Sequence, residues 1–263
     1  MRTTFAGEVA ASGLPLGPGA AAAVGEEDIS ALPRPVQRYL RRMGVLEHPR
    51  DWSFRMHCVG RFKPALEAEW KPAESWQYNS ALDVARIYHM KLQFYGIPVV
   101  GRDIYLRGAG HLAIRPLDLV TVEHDMGPAF DRAELVSWLD DALLFAPSML
   151  LGAKTEWRAA DDDAFDVSFT DSSLTVSAHV ALDRRGTPLE VTTDNRAARD
   201  SRTKRVHRAR WSTPVPGWQV VEGHRVPTRA RAVWHLPSGD FAYAELDIGA
   251  SDLAFNVSPG AMP

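Results

Sequence analysis

One greasy helical stretch, residues 131–151, interrupts a chain whose other ordered segments alternate with a period of two. That arrangement constrains the fold more than any other feature of the sequence. Leu174, Val176, Ala178, Val180 and Leu182 alternate with polar or small residues, the spacing that puts every apolar side chain on one face of a strand. Trp52, Phe54, Met56 and Cys58 alternate with Ser53, Arg55 and His57, and Leu66, Ala68 and Trp70 with Glu67, Glu69 and Lys71. Val84, Arg86, Tyr88, Met90 and Leu92 share one strand face, while Ala85, Ile87, His89 and Lys91 share the other. Shorter segments at residues 104–106, 111–114, 119–122, 165–169, 232–236 and 241–246 are separated by Gly, Pro and Asp turns. About a dozen short strands with tight turns read as an antiparallel meander.

Within the helical stretch, Leu135, Trp138, Leu139, Ala142 and Leu143 form the apolar stripe, and Asp131 and Glu134 have capping-box spacing. Pro147 interrupts the run, and a further turn from Ser148 to Leu151 stops at Gly152. An earlier helix is expected over residues 30–43, with Pro33 and Pro35 in its first turn, a stripe of Val36, Tyr39, Leu40 and Met43, and Gly44 just past its end. Residues 1–29, rich in Ala, Gly and Pro, read as a flexible tail, residues 30–257 as one domain, and residues 258–263 as a second tail. The expected fold is mainly β (α+β): a strongly curved antiparallel sheet or open β-barrel, with an N-terminal helix and a central helical hairpin against the concave side.

Composition excludes several functions. Thirty Lys and Arg against 33 Asp and Glu give a net charge of −3, unlike a protein that grips nucleic acid through a clustered positive field. No stretch of eighteen apolar residues encodes a transmembrane helix. A lone cysteine, Cys58, excludes an intramolecular disulfide and any thiolate metal cluster. With no export signal read in the Ala-rich start, the expected location is cytoplasmic.

Several motifs together resemble a bacterial family of unknown function. They are Leu32-Pro33-x-Pro35-Val36-Gln37-Arg38-Tyr39-Leu40, Arg102-Asp103-x-Tyr105-x-x-Gly108-x-Gly110, and the run from Leu139 to Leu151 with Trp157 after it. Trp211-Ser212-Thr213-Pro214 and Val233-Trp234-x-Leu236-Pro237-x-Gly239-Asp240-Phe241-x-Tyr243 complete the set. The likeness spans roughly Leu32 to Asn256 and implies no described chemistry. It implies a sheet similar to the half-barrels of periplasmic lipoprotein carriers, in proteins usually membrane-anchored or exported. This chain departs in showing no such segment, which points to a soluble relative recruited to a small-molecule pathway such as secondary metabolism.

Familiar catalytic signatures are missing from the sequence. There is no Gly-x-Ser-x-Gly elbow, phosphate loop or paired-histidine metal motif, and Gly108-x-Gly110 lacks the third glycine of a dinucleotide site. His124-Asp125 and Asp161-Asp162-Asp163 fit loops and turns better than metal sites, so no metal and no cofactor is expected. One constellation remains. Asp103, Tyr105 and Arg107 fall at i, i+2 and i+4, and Arg86, Tyr88 and Met90 do the same on the preceding strand. Facing a concavity, these would set phenols, a carboxylate and a guanidinium into an apolar cavity, where they could polarise a carbonyl or enol. Asp103, Tyr105 and Tyr88 are the candidate catalytic residues; Arg86, Met90, Trp70, Trp138, Phe145 and Met149 are the candidate substrate contacts. The function expected on this basis is a cofactor-independent cyclase or isomerase for a hydrophobic small molecule. Its alternatives are a carrier of a lipid-like ligand without catalysis, or an interaction module using the charged segment at residues 194–210.

Overall fold

A computed structural model describes residues 2–19, 22–199 and 206–260. The chain opens with helix α1 (Arg2–Ala11), the single turn α2 (Glu26–Ile29) and helix α3 (Arg34–Met43). Six strands follow: β1 (Ser53–Phe62), β2 (Lys71–Ser80), β3 (Ala85–Phe94), β4 (Ile97–Leu106), β5 (Ala109–Pro116) and β6 (Glu123–Met126). Helix α4 (Pro128–Phe145) and a 3₁₀ turn (Pro147–Leu150) come next. The second half starts with β7 (Thr155–Asp161), β8 (Ala164–Asp171), β9 (Leu174–Leu182) and β10 (Pro188–Thr193). A short hairpin of β11 (Ala197–Arg199) and β12 (Val206–Arg208) precedes β13 (Arg210–Pro214). A second hairpin of β14 (Trp218–Val221) and β15 (His224–Pro227) leads to β16 (Arg229–Leu236) and β17 (Gly239–Phe255).

Thirteen strands form one antiparallel sheet in the order β6-β5-β4-β3-β2-β1-β17-β16-β13-β10-β9-β8-β7. Each half of the chain builds half of the sheet, and the halves join where the first strand pairs with the last, as in Phe54 opposite Phe255. The outermost strands, β6 and β7, are the two that flank α4 in sequence, so the helix must pass from one edge to the other. It does so inside the curve, touching β3 to β6 on one side and β9 and β10 on the other. The sheet is therefore strongly bent and remains open, since β6 and β7 are not paired with each other.

A helix wrapped this way needs apolar residues all round rather than one stripe. The predicted stripe (Leu135, Trp138, Leu139, Ala142, Leu143) is fully buried, and Val136, Leu144 and Phe145 on the remaining sides are buried with it. They meet concave residues from both halves of the sheet in one continuous core, including Phe54 and Met56 from β1 and Phe165, Val167 and Phe169 from β8. At about 1.5–3 kcal/mol for each large apolar side chain removed from water, this helix is a principal source of stability.

Four local expectations need correction. Residues 2–11 are not part of a flexible tail: they form α1, whose Phe5 and Val9 pack on Trp76, Tyr78, Ile87 and Ile104 of the convex face. That face carries its own apolar residues because strands β2 and β3 are covered on both sides. Residues 63–70 form turns rather than a strand despite their alternation, and the second strand is residues 71–80 instead. Residues 119–122 lie in a loop, with β6 starting at Glu123. Finally, α4 begins at Pro128 after Gly127, so Asp131 is not its cap. Asp131 Oδ1 accepts instead from the Gly110 backbone N–H at 2.8 Å, where β5 passes so close that a Cβ on Gly110 would sit 2.5 Å from the Phe130 carbonyl. The charged segment around residue 200 is a hairpin whose stem strands are β11 and β12; residues 200–205 lie outside the described residues.

Candidate functional site

Strands β3 and β4 pair in a register that sets Arg86 opposite Tyr105 and Tyr88 opposite Asp103. All four side chains face the concave side, because their neighbours Ile87 and Ile104 pack outward against α1. The predicted constellation is thus assembled from two adjacent strands. Arg107 is not part of it. It lies in the β4–β5 turn with φ of 55° and donates outward to the Ser12 carbonyl at 3.0 Å.

Helix α4 supplies the partners that the sequence reading missed. Arg86 Nε donates to Asp141 Oδ2 at 2.7 Å, and its Nη1 donates to Glu134 Oε2 at 3.1 Å. Seven residues apart, Glu134 and Asp141 lie two turns apart on one side of the helix and flank the guanidinium. Gln77 Nε2 also donates to Asp141 Oδ2, at 2.7 Å, and Asn79 Nδ2 does so at 3.3 Å. On another side of the helix, Asp140 Oδ2 accepts from Thr213 Oγ1 of β13 at 2.9 Å, while its Oδ1 is buried without a partner. The helix is therefore held by polar contacts to both halves of the sheet.

Two guanidiniums and four carboxylates share this interior. The second guanidinium is Arg196, stacked over Trp211 at 4.6 Å and Trp234 at 5.7 Å, with its Nε buried and without a hydrogen-bond partner. Like charges in a low-dielectric site cannot all ionise, so protons are retained. Burial, then the charge of Asp103, pushes Glu134 up to about 7. Burial and neighbouring Asp141 hold Asp140 well above the usual carboxylate range. Burial raises Asp103 as well, against the pull of Arg86 and Arg196. Arg86 stays charged: burial disfavours its cation, but Asp141 and Glu134 more than offset that cost.

Asp103 differs from its neighbours. It is only partly buried, and no hydrogen bond joins it to another described residue. Tyr88 stands opposite it, and toward the β3–β4 turn the concave face is apolar: Met90 and Gly101 lie on the next row of β3 and β4, and Leu112 and Ile114 continue the wall on β5. Across the curve stand Trp234 and Tyr243, both partly exposed. Between Ala232 and Val233 the β16–β17 register slips, which leaves Tyr243 unpaired and turns its hydroxyl to accept from Trp211 Nε1 at 3.0 Å. Burial raises the Tyr243 phenol, and the charges of Asp103 and Glu134 add to that effect across the interior.

The remaining predicted site residues have other roles. Tyr105 is fully buried and donates to Asp171 Oδ2 at 2.9 Å, bracing β4 against the end of β8. Burial, then Asp171, raises its phenol, so it keeps its proton. Trp138 lies 4.6 Å from Phe169 and donates from Nε1 to the Ser80 carbonyl at 2.9 Å. Phe145 packs on Phe54 at 5.7 Å, and Met149 is buried in the same core. These three are packing residues, because the helix fills the concavity where they sit rather than lying over it. Trp70 lies on the β1–β2 connection beneath the Arg61 guanidinium at 4.6 Å, away from the interior. Cys58 is buried, which raises its thiol and removes it as a nucleophile.

A second buried network has the composition of a hydrolase triad without its order. Asp51 sits in the middle, accepting from Ser148 Oγ at 2.5 Å on one side and facing His224 Nε2 at 3.0 Å on the other. The serine and the histidine each meet the aspartate, so the trio ties the 3₁₀ turn to the β14–β15 hairpin.

A family model described as "Family of unknown function (DUF6544)" matches residues 22–246, which include the strands that carry Arg86 and Asp103 and the whole of α4. The chain belongs to this family. No curated protein matches it. Among solved structures, the DUF6544 chain is similar to a putative outer membrane lipoprotein-sorting protein domain from Vibrio parahaemolyticus. That likeness has 11% identity over 78% of this chain and 85% of that one, with a TM-score of 0.36. At that distance nothing about ligand or partner passes between the two. For the DUF6544 chain the useful signals in the sequence were indirect: a helix apolar on every side cannot keep Glu134, Asp140 and Asp141 in water. Nothing in the sequence marked Arg196.

Proposed function

We propose that this protein binds a predominantly apolar small molecule with one polar group, in a hollow on the concave face beside Asp103. The observation that carries this reading is Asp103: a partly exposed carboxyl with no hydrogen bond to another described residue, at the edge of an apolar stretch made by Met90, Gly101, Leu112 and Ile114. A carboxyl that no neighbouring side chain bonds and that is still partly exposed is open to a ligand that supplies the hydrogen bond. Gly101 supports the same reading. A Cβ there would meet Ile114 Cδ1 at an ordinary 3.7 Å, so backbone geometry does not require glycine and the missing side chain leaves space. The ligand's polar group would be a hydroxyl, amide or carbonyl, bonding to Asp103 as the carboxylate or as the acid.

A second reading is favoured by the retained protons. A carboxyl near 7, as burial makes Glu134, is suited to exchange a proton with a bound enol or carbonyl, the chemistry of a cofactor-free isomerase or cyclase.

Native mass spectrometry of freshly purified protein, followed by solvent extraction, tests both. An apolar ligand recovered from wild type and lost from Asp103→Asn supports binding; its return chemically unaltered after incubation supports carriage, and its conversion supports catalysis. Recovery of the ligand in equal amount from Asp103→Asn would overturn the placement at Asp103.

A further inference from the structure

A separate cavity of about 450 Å³ opens on the convex side of the sheet, between α1 and the strands β1, β2 and β17. It is the opposite face from Asp103, since Arg55, His57 and Trp76 alternate with the inward Met56, Cys58 and Gln77. Its volume is in the range that encloses a small metabolite. Part of its wall is electrically satisfied: His57 faces Glu74 at 3.2 Å and Asp252 at 3.6 Å, and its ring lies 5.3 Å from Trp76. Arg55 is different. It has no hydrogen bond to another described residue, and its Nε is buried without a partner. Burial, then the charge of Arg2 on the same cavity, destabilises the Arg55 cation, with Asp252 and Glu222 pulling weakly the other way. Two guanidiniums thus line one cavity, and neither carboxylate of the wall bonds to Arg55.

We propose that this cavity is a ligand site for a small organic anion, a compact apolar body bearing one carboxylate or phosphate group. An oxyanion between Arg2 and Arg55 would accept the bond that Arg55 Nε lacks and remove the repulsion between the two cations. The apolar body would rest on the floor made by Phe5 and Trp76. Because α1 forms one wall, occupancy would also hold the helix on the sheet, through the linkage between binding and folding.

The probes are benzoate and phenyl phosphate, with benzyl alcohol as the neutral control, titrated calorimetrically into the full chain. At least one anion is expected to bind about tenfold tighter than the alcohol, a difference of about 1.4 kcal/mol. Arg55→Gln removes that preference, while Asp103→Asn on the other face leaves it unchanged. Arg2→Gln, at an exposed position, weakens the same anion without disturbing the core and decides the matter should Arg55→Gln fold poorly. Whether carboxylate or phosphate is preferred names the source. Equal binding of anion and alcohol, no binding of either anion, or a preference that survives the arginine substitutions would each overturn the proposal. Loss of the apolar ligand in Asp103→Asn concerns the concave hollow alone, so the two sites fail independently.

Discussion

Arg86 Nε donates to Asp141 Oδ2 at 2.7 Å, and this bond fastens β3 to the helix that fills the bent sheet. Both residues belong to a cluster in which Glu134 is the other carboxylate on the same guanidinium. Removing the cation leaves two carboxylates facing each other in the core. Arg86→Met is therefore expected to cost about 3–5 kcal/mol in urea unfolding, far more than the lost methylene packing. Adding Glu134→Leu should recover part of that loss, since one of the stranded charges is then gone. Additive effects in the double variant would show that the two residues do not act as a pair.

Glu134 gives the cluster a pH dependence of definite sign. Its folded value is raised to about 7 from an ordinary 4.5, so the unfolded chain releases this proton at lower pH than the folded one. The stability it contributes is complete below 4.5 and is lost as pH rises through about 7. Glu134→Gln cannot ionise, so its stability should fall less than that of the wild type between those two values. Parallel curves of stability against pH for the two proteins would place the retained proton elsewhere in the cluster.

The bent sheet was legible in the sequence because period-two alternation survives in most strands, and because one apolar helix interrupts it midway. The register between β3 and β4 was legible for the same reason: Arg86, Tyr88, Asp103 and Tyr105 fall on matching faces once a tight turn at Tyr95-Gly96 joins the strands. What the pattern could not give was where the helix goes. A helix lying over the mouth of a cup and one running through it share an apolar stripe, and only the second buries Glu134 and Asp140 as well. That difference moves Trp138, Phe145 and Met149 from candidate substrate contacts to the core. Helix α1 was missed because its apolar residues are few: Phe5 and Val9 suffice when the strands below offer Trp76 and Tyr78 on the outward face.

His224 should report on the second buried network. Burial disfavours its cation, but Asp51, through its hydrogen bond and its charge, raises the imidazole above 6.5. A raised histidine contributes stability that is fully present below its unfolded value and lost as pH rises through the folded one. Asp51→Asn keeps the shape and removes the charge, so the His224 titration followed by NMR should move below 6.5, with a loss of about 1–3 kcal/mol from weakened bonds to Ser148 and His224. An unchanged histidine titration would show that Asp51 does not set it.

Helix α1 should detach in acid before the sheet melts. Glu8 Oε2 lies 2.6 Å from His89 Nε2 and 3.5 Å from Arg102 Nη1, and these partners outweigh burial to hold its carboxyl below 4.5. The stability from a lowered carboxylate is present above its unfolded value and lost as pH falls through the folded one. Glu8→Gln should therefore loosen α1 at neutral pH, seen as faster hydrogen exchange in residues 2–11 and in the outward positions of β2 and β3. Protection of those strands equal to the wild type would mean that Phe5 and Val9 hold the helix alone.

Gly101 offers a direct test of the hollow. It lies between Met90 and Ile114 on the concave side, with an ordinary strand backbone and only van der Waals neighbours around the position a Cβ would take. Phenylalanine suits a strand better than glycine does, by up to about 1 kcal/mol, so Gly101→Phe should melt no lower than the wild type. Its ring would project over Asp103's side of the wall and take the volume proposed for the ligand. Nile red, whose emission rises in apolar surroundings, should bind the wild type and bind the variant at least about tenfold more weakly, a loss of about 1.4 kcal/mol. A variant that keeps full stability and undiminished dye binding would mean that the space beside Gly101 is not where apolar molecules enter.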